Sequence, residues 1–170
     1  MFKKIISVTL SFLMIFCLSA CGKDDKKAGE RAAFEEKGDY LTGYDWESSD
    51  GTLIELNTDG TFKFYQDSSN KNDNYYSGKF EVKSAQTAIE YITSEWGPTE
   101  DDQRQVMSRF SVEDKDYYVL ILNNEQRIMN GQNNLEKANK VEYFGYYVAD
   151  NTHINFTRLN DLVETTFYRK

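Results

Sequence analysis

Two cysteines and one histidine are the residues whose chemistry limits this chain most sharply. His153 is the only histidine, so a Ser-His-Asp or Cys-His catalytic arrangement would have to be built around it. The alternation of its neighbours puts His153 on the face opposite Ile154 and Phe156, which predicts exposure to solvent. Zinc sites need clusters of cysteine and histidine, which this sequence does not supply. We therefore expect a surface histidine rather than a catalytic or metal-binding one.

Carboxylates are abundant, and calcium is the metal that they could bind. None of the aspartates in predicted loops or at a predicted helix start follows a known calcium-loop spacing, so we expect solvated carboxylates. A glycosidase-type carboxylate pair depends on three-dimensional distances that a sequence does not give. No glycine-rich phosphate loop occurs in the sequence. We therefore predict no metal, no cofactor and no enzyme activity. The aspartates concerned are Asp67, Asp73, Asp101, Asp102, Asp114 and Asp116.

The first twenty residues differ in kind from the rest of the chain. Lys3 and Lys4 precede an apolar run from Ile5 to Leu18, a pattern typical of a secretory signal peptide. The run is shorter than the roughly 20 apolar residues that span a bilayer, and small residues and charges follow it at once. We therefore expect export and removal of residues 1–20 rather than a permanent transmembrane helix.

The residues Leu18-Ser19-Ala20-Cys21-Gly22 resemble the lipobox of bacterial lipoproteins. In that motif small residues admit the signal peptidase and the cysteine thiol carries a diacylglycerol. The resemblance implies cleavage before Cys21, lipidation of Cys21 and a location on the outer, extracytoplasmic face of the cell membrane. Two fatty chains anchor stably, because each buried methylene contributes about 0.8 kcal/mol. The alternative is an ordinary cleaved signal peptide followed by a chance cysteine.

The second cysteine and the balance of charge exclude two further features. Cys17 lies inside the predicted leader, so Cys21 would be the only mature cysteine and no internal disulfide is expected. Removing residues 1–20 removes Lys3 and Lys4 but no acidic residue, which takes the formal net charge from −8 to about −10. Nucleic-acid binding needs a basic patch, so we expect no nucleic-acid partner. Residue usage is also typical of a low-GC Gram-positive host.

The remaining residues divide into a linker and one domain. Residues 22–39 are charged and nearly free of apolar groups, so we expect a flexible tether over residues 21–39. A short surface helix across Glu30 to Lys37 is the alternative. Residues 40–170 have the length of a single domain, and their many tyrosines and phenylalanines favour β-strands.

Alternating apolar and polar residues predict most of the strands. Residues 52–66 alternate on both sides of Asp59-Gly60, which predicts a β-hairpin because its turn requires positive φ. The next strand runs from Tyr75 to Lys83, where Gly78 predicts a bulge or a bend. Further strands are predicted over Tyr117 to Leu122, Val141 to Ala149, His153 to Arg158 and Val163 to Arg169, with a short one near Ile128 and turns at Asp150-Asn151 and Asn160-Asp161.

Residues 84–110 change to helical spacing. An amphipathic helix behind Ser84 as its cap should end before Gly97-Pro98. Thr99 followed by Asp102 predicts a second helix that runs toward Phe110. The fold class that follows is mainly β (α+β): an antiparallel meander of seven to eight strands, barrel-like or strongly curved, with a two-helix insertion at about 84–110.

Several segments resemble lipocalin-like (calycin-type) bacterial lipoprotein domains. These are Leu41-Thr42-Gly43-Tyr44-Asp45-Trp46, Asp50-Gly51-Thr52, Asp59-Gly60-Thr61-Phe62, Tyr76-Ser77-Gly78-Lys79-Phe80 and, at the last strand, Thr166-Phe167-Tyr168-Arg169-Lys170. In such domains a tryptophan near the first strand closes the barrel, and the resemblance implies that role for Trp46. The two-helix insertion departs from the simple eight-stranded plan and is more similar to uncharacterised Gram-positive lipoproteins.

Adjacent aromatic pairs give the predicted strands an aromatic residue on each face, because successive side chains on a strand point to opposite sides. One member of each pair can face the core. The other could line a cavity, bind a partner or pack beneath the helical pair, and packing is the simpler explanation. We take Tyr75, Tyr117 and Tyr146 as the candidate binding surface.

Together these features favour a non-enzymatic, membrane-anchored binding module for a hydrophobic ligand, a peptide or a protein. The alternative is a structural or interaction component of an envelope assembly, including an immunity-type lipoprotein. The expected partners are the membrane, through the lipid on Cys21, and an unidentified small ligand or envelope protein. A pocket with convergent polar groups would favour a small molecule, whereas a filled barrel would favour surface recognition.

Overall fold

The computed structural model describes residues 23–71, 74–147 and 152–170. Its helices are α1 (Lys23–Glu36), α2 (Gln86–Trp96), α3 (Glu100–Arg109) and a short 3₁₀ helix at Asp114–Asp116. Its strands are β1 (Asp45–Ser48), β2 (Leu53–Leu56), β3 (Thr61–Tyr65), β4 (Asn74–Ser84), β5 (Tyr117–Met129), β6 (Gln132–Asn133), β7 (Asn139–Tyr147), β8 (His153–Arg158) and β9 (Val163–Arg169).

Eight of these strands form a closed antiparallel barrel. Their order is β4-β3-β2-β1-β9-β8-β7-β5, and β5 pairs back onto β4 to complete the ring. The short β6 pairs only with the end of β5. The predicted mainly β fold with a two-helix insertion is therefore confirmed, and a closed barrel leaves no long unpaired edge.

A tight turn and a β-bulge, both predicted from the sequence, shape the first half of the barrel. Gly60 has a φ of +81° in the turn between β2 and β3, which confirms the predicted hairpin. The pairing of β4 with β5 shifts register between Ser77 and Gly78, which confirms the bulge. A Cβ at Gly78 would lie 2.0 Å from the carbonyl oxygen of Asn123, so only glycine fits this close approach.

Aromatic and aliphatic side chains fill the barrel and close one end of it. Trp46 is buried there, and its indole N–H donates to the carbonyl oxygen of Leu41 at 3.0 Å. The Tyr118 hydroxyl donates to the carbonyl oxygen of Gly38 at 2.9 Å, which ties the segment before β1 across the same end. We call this the closed end. The buried core side chains are Leu41, Trp46, Ile54, Leu56, Phe62, Tyr118, Leu120, Leu122, Tyr143, Tyr147, Ile154, Phe156 and Phe167.

The helical pair lies between β4 and β5 in the chain. Helix α3 begins as predicted, because the Asp102 carboxylate accepts from the backbone N–H of Thr99 at 3.0 Å and the Thr99 hydroxyl accepts from that of Asp102. Helix α2 ends at Gly97, which adopts the left-handed conformation. The predicted Ser84 cap is wrong. Ser84 is the last residue of β4, and the residue preceding the helix is Ala85, which has a φ of +52°.

The helices cover the outer face of β5. Tyr118, Leu120 and Leu122 point into the barrel, whereas Val119 and Ile121 pack beneath α2 and α3 in a second buried cluster. This explains the continuous apolar sequence of the strand, since both of its faces are buried. The strand also continues to Met129, so the short strand predicted near Ile128 is the end of β5.

Helix α1 occupies most of the segment predicted as a tether and begins before the short helix weighed as the alternative. Its second half contacts the barrel: the Thr58 hydroxyl donates to Glu30 at 2.7 Å, and the Tyr44 hydroxyl donates to Glu35. Cys21, the predicted signal peptide and the Asp150-Asn151 turn lie outside the described residues.

Candidate functional site

A pocket of about 290 Å³ lies on the outside of the barrel, between the helical pair, strand β7 and the turn that joins β8 to β9. Its wall is almost entirely apolar, because aliphatic and aromatic side chains of α2, α3, β7 and the β8–β9 turn line it. We call it the outer pocket. Its lining residues are Ile92, Trp96, Pro98, Asp102, Gln103, Val106, Met107, Phe110, Val112, Tyr117, Phe144, Tyr146, Leu159 and Leu162.

The floor of the outer pocket is held by a buried glutamine. The side-chain amide of Gln103 donates to the carbonyl oxygen of Ile89 at 3.1 Å and to the hydroxyl of Thr93 at 2.9 Å. Its oxygen accepts from the Tyr117 hydroxyl at 3.2 Å. Burial raises the pKa of Tyr117 to about 12, so this hydroxyl stays protonated and donates throughout the neutral range. The polar atoms of the floor are thus satisfied by one another.

The rim of the outer pocket exposes large apolar side chains. Leu162 is 72% exposed, Phe110 is 59% exposed and Val106 is 44% exposed. Phe110 stacks on the ring of Tyr146 with centroids 5.6 Å apart. Exposed apolar residues that are grouped around a concavity mark interaction sites more often than scattered ones do.

Two of the three tyrosines predicted as a binding surface meet in this pocket, and one does not. Tyr117 lies buried at the floor and Tyr146 is half-buried at the rim. Tyr75 lies on β4 against the ring of Tyr65, with the Lys63 ammonium 5.0 Å from its centroid. Packing beneath the helical pair accounts for Tyr117 and for its neighbour Phe144, which belong to the second buried cluster.

Sequence reasoning missed the rim residues. Val106 lies on α3 and Phe110 directly follows this helix, while Leu162 and Val163 follow the predicted Asn160-Asp161 turn. The sequence did contain a signal for them, because Val106 and Phe110 extend the apolar face of a helix over these residues beyond the stripe that it would bury. That α3 and the β8–β9 turn come together depends on tertiary packing.

A second cavity, of about 200 Å³, lies at the end of the barrel opposite the closed end. We call it the mouth cavity. Its walls include Phe64, Tyr76 and Tyr143, and burial raises the pKa of the Tyr143 hydroxyl. Its polar groups are engaged with neighbours: the Asn124 amide donates to Asn139 at 2.5 Å, and the Arg158 guanidinium binds Asp161 through two nitrogens.

The histidine and the aspartates considered for metal or catalytic chemistry contact other side chains and the backbone. His153 is half-buried on the outer side of β8, and its ring lies 5.6 Å from that of Tyr168. Among the described aspartates, Asp114 pairs with Arg104, and the Asp67 carboxylate accepts from the backbone N–H of Ser69. No group of three potential metal ligands occurs among the described residues. Within the same residues, no helix has both the length and the apolar character to span a bilayer.

Comparison with known proteins gave no match. No family model, no curated protein and no solved structure is significantly similar to this chain. The features that bear on function are therefore the sequence motif at Cys21 and the geometry of the outer pocket.

Proposed function

We propose that this protein is a lipid-anchored, extracytoplasmic binding module whose binding site is the outer pocket. The observation that carries the proposal is the apolar concavity of about 290 Å³ at whose rim Val106, Phe110 and Leu162 remain exposed. Its volume is close to the lower end of the roughly 300–1,000 Å³ found for ligand sites. Apolar groups are the ligands that such a wall accepts, because burial there removes apolar surface from water on both partners.

The proposed location rests on the resemblance of residues 18–22 to a lipobox. Lipid on Cys21 would hold the chain at the membrane. Because α1 begins two residues later, this helix would start close to the membrane surface. Helix α1 contacts Thr58 and Tyr44, and neither of these residues lines the outer pocket.

Clickable palmitate tests the anchor. The full chain expressed in a Gram-positive host should incorporate the label, and Cys21→Ala should abolish incorporation. Cys17→Ala is the matched control and should incorporate palmitate normally, because its thiol leaves with the leader. Labelling of the Cys21→Ala variant would refute the proposed lipidation.

An environment-sensitive naphthalene sulfonate dye tests the binding site. Its fluorescence should rise on mixing with the purified chain, and Val106→Trp should suppress that rise by at least about tenfold, because an indole at the rim would cover the pocket. Met129→Trp is the matched control, since Met129 is 37% exposed at the far end of β5. Equal dye binding by the two variants would place the apolar site elsewhere.

A further inference from the structure

The polar groups at the floor of the outer pocket are hydrogen-bonded to one another, which limits the ligands that can bind there. The Gln103 amide and the Tyr117 hydroxyl are engaged with each other, with Ile89 and with Thr93. Small-molecule sites usually combine an apolar wall with a few polar groups that fix the orientation of the ligand. The floor of this pocket offers no such group, so it suits inserted apolar side chains.

Leu162 is presented to solvent at a conformational cost. Its φ is +58°, in the left-handed region that disfavours every residue with a Cβ, and it is the most exposed large apolar residue described. Asparagine or glycine would occupy this turn position more cheaply. An apolar side chain held outward in this way gains favourable burial only when something covers it.

A small ligand inside the pocket would leave the rim uncovered. Phe110, Val106 and Leu162 surround the opening, and each is more than two-fifths exposed. A polypeptide segment lying across the opening would insert apolar residues and cover these three side chains at once, as an amphipathic helix does in a hydrophobic groove. The exposed rim therefore favours a polypeptide over a free apolar molecule.

Charge around the outer pocket selects the kind of polypeptide. Exposed carboxylates lie within or next to the lining segments, and Asp102 itself lines the pocket. Arg104 pairs with Glu100 and Asp114, and Arg158 pairs with Asp161, so both arginines and these three carboxylates are already engaged. The other carboxylates of these segments are Glu95, Asp101, Asp102 and Glu164, and they outnumber the exposed Arg109 beside Phe110. A basic partner is complementary to this rim, whereas a second copy of this chain or an anionic lipid surface would bring like charges together.

We infer that the outer pocket binds a basic amphipathic segment of a partner protein, with apolar residues in the pocket and lysines or arginines against the acidic rim. This inference rests on the proposed binding function and specifies its partner.

The test uses the full chain in phosphatidylcholine nanodiscs and a fluorescent synthetic peptide. The peptide carries leucines at positions i, i+3, i+4 and i+7 and lysines elsewhere, and a twin carries glutamates in place of the lysines. We expect saturable binding of the lysine peptide above that to empty nanodiscs. The glutamate twin should bind at least about tenfold more weakly, and added salt should weaken binding of the lysine peptide.

Leu162→Asn is the informative variant, because asparagine tolerates positive φ and keeps the turn while removing the apolar side chain. It should weaken peptide binding at least about tenfold. Met129→Asn is the matched control and should bind normally, because it removes an exposed apolar side chain from another surface. Equal binding of the two peptides, or an unchanged affinity in Leu162→Asn, would overturn the inference.

The dye measurement separates failure of this inference from failure of the proposed function. Dye binding that Val106→Trp abolishes, without binding of the lysine peptide, would overturn the basic partner and retain the apolar site. Absence of both kinds of binding would overturn both proposals.

Discussion

The hydrogen bonds of Gln103 make a sharp prediction about the stability of the helical pair. Gln103 is 6% exposed, and its side chain both donates hydrogen bonds and accepts one from the buried hydroxyl of Tyr117. Gln103→Leu keeps most of the side-chain volume but leaves that hydroxyl buried without its acceptor. An unsatisfied buried group costs about 1–3 kcal/mol, and a lost hydrogen bond costs about 1 kcal/mol net. We expect a decrease of about 2–3 kcal/mol in the free energy of unfolding.

A double variant at Gln103 and Tyr117 tests whether these two side chains are bonded directly to each other. Tyr117→Phe alone should cost about 1–2 kcal/mol, because it leaves the Gln103 oxygen unsatisfied. Gln103→Leu combined with Tyr117→Phe removes both polar groups, and replacing both partners by apolar groups can be nearly neutral. The double variant should therefore be at least as stable as Gln103→Leu alone, which corresponds to a coupling energy of about 1–2 kcal/mol.

Urea denaturation followed by circular dichroism measures these free energies, provided that the slope against urea is the same in every variant. Gln105→Leu, on the exposed side of α3, is the control and should change stability by less than about 0.5 kcal/mol. Single-variant effects that add within about 0.5 kcal/mol would refute the direct bond between Gln103 and Tyr117.

Three further predictions concern the barrel. Gly145→Ala should lower the free energy of unfolding by about 2 kcal/mol or more, since its Cβ would lie 2.1 Å from the carbonyl oxygen of Asn155. Gly29→Ala in α1, where nothing lies within 4 Å of the added Cβ, should not destabilise the protein. Thermal melting compares the two variants. Trp46→Phe should cost about 2 kcal/mol or more, because it removes the donor to Leu41 and opens space at the closed end; urea denaturation measures this, and a neutral result would contradict the assigned role. Burial raises the pKa of Tyr65 and of Tyr117 from 10.0 to about 12, so the unfolded chain loses these protons first. The free energy of unfolding should therefore fall from pH 10 to about pH 12, by about 1.4 kcal/mol per pH unit for each tyrosine. Tyrosinate absorbance measured together with circular dichroism checks this, and titration of all tyrosines near pH 10 in the folded protein would contradict it.

Most strands and both inserted helices could be predicted from the sequence, because local patterns specify them. The Asp59-Gly60 turn, the Gly78 bulge and the Thr99–Asp102 cap each depend on residues close in the chain. Ser84 was assigned wrongly because a serine before helical spacing is a good cap in isolation. Here pairing of β4 with Tyr118 extends the strand through Ser84 and moves the turn to Ala85.

The outer pocket could be predicted only in part. The outward faces of Tyr117 and Tyr146 follow from strand alternation. Their meeting with Val106, Phe110 and Leu162 requires α3 to lie beside β7 and the β8–β9 turn, which no local pattern specifies. Tyr75 follows the same alternation but lies at the start of β4, whereas α2 follows the other end of that strand, so alternation alone could not separate Tyr75 from the other two.

The order of the strands has a consequence for how the chain folds. Neighbours around the barrel are also successive barrel strands in the chain, except at the contact between β1 and β9. Hairpins can therefore accumulate one after another as residues emerge, with little loop entropy to overcome at each step. Until β9 arrives, however, β1 and β8 both remain open edges that invite intermolecular pairing. Deleting Val163–Arg169 should thus yield aggregates rather than a smaller barrel, and a chaperone that shields emerging chains would have to act before these last strand residues appear.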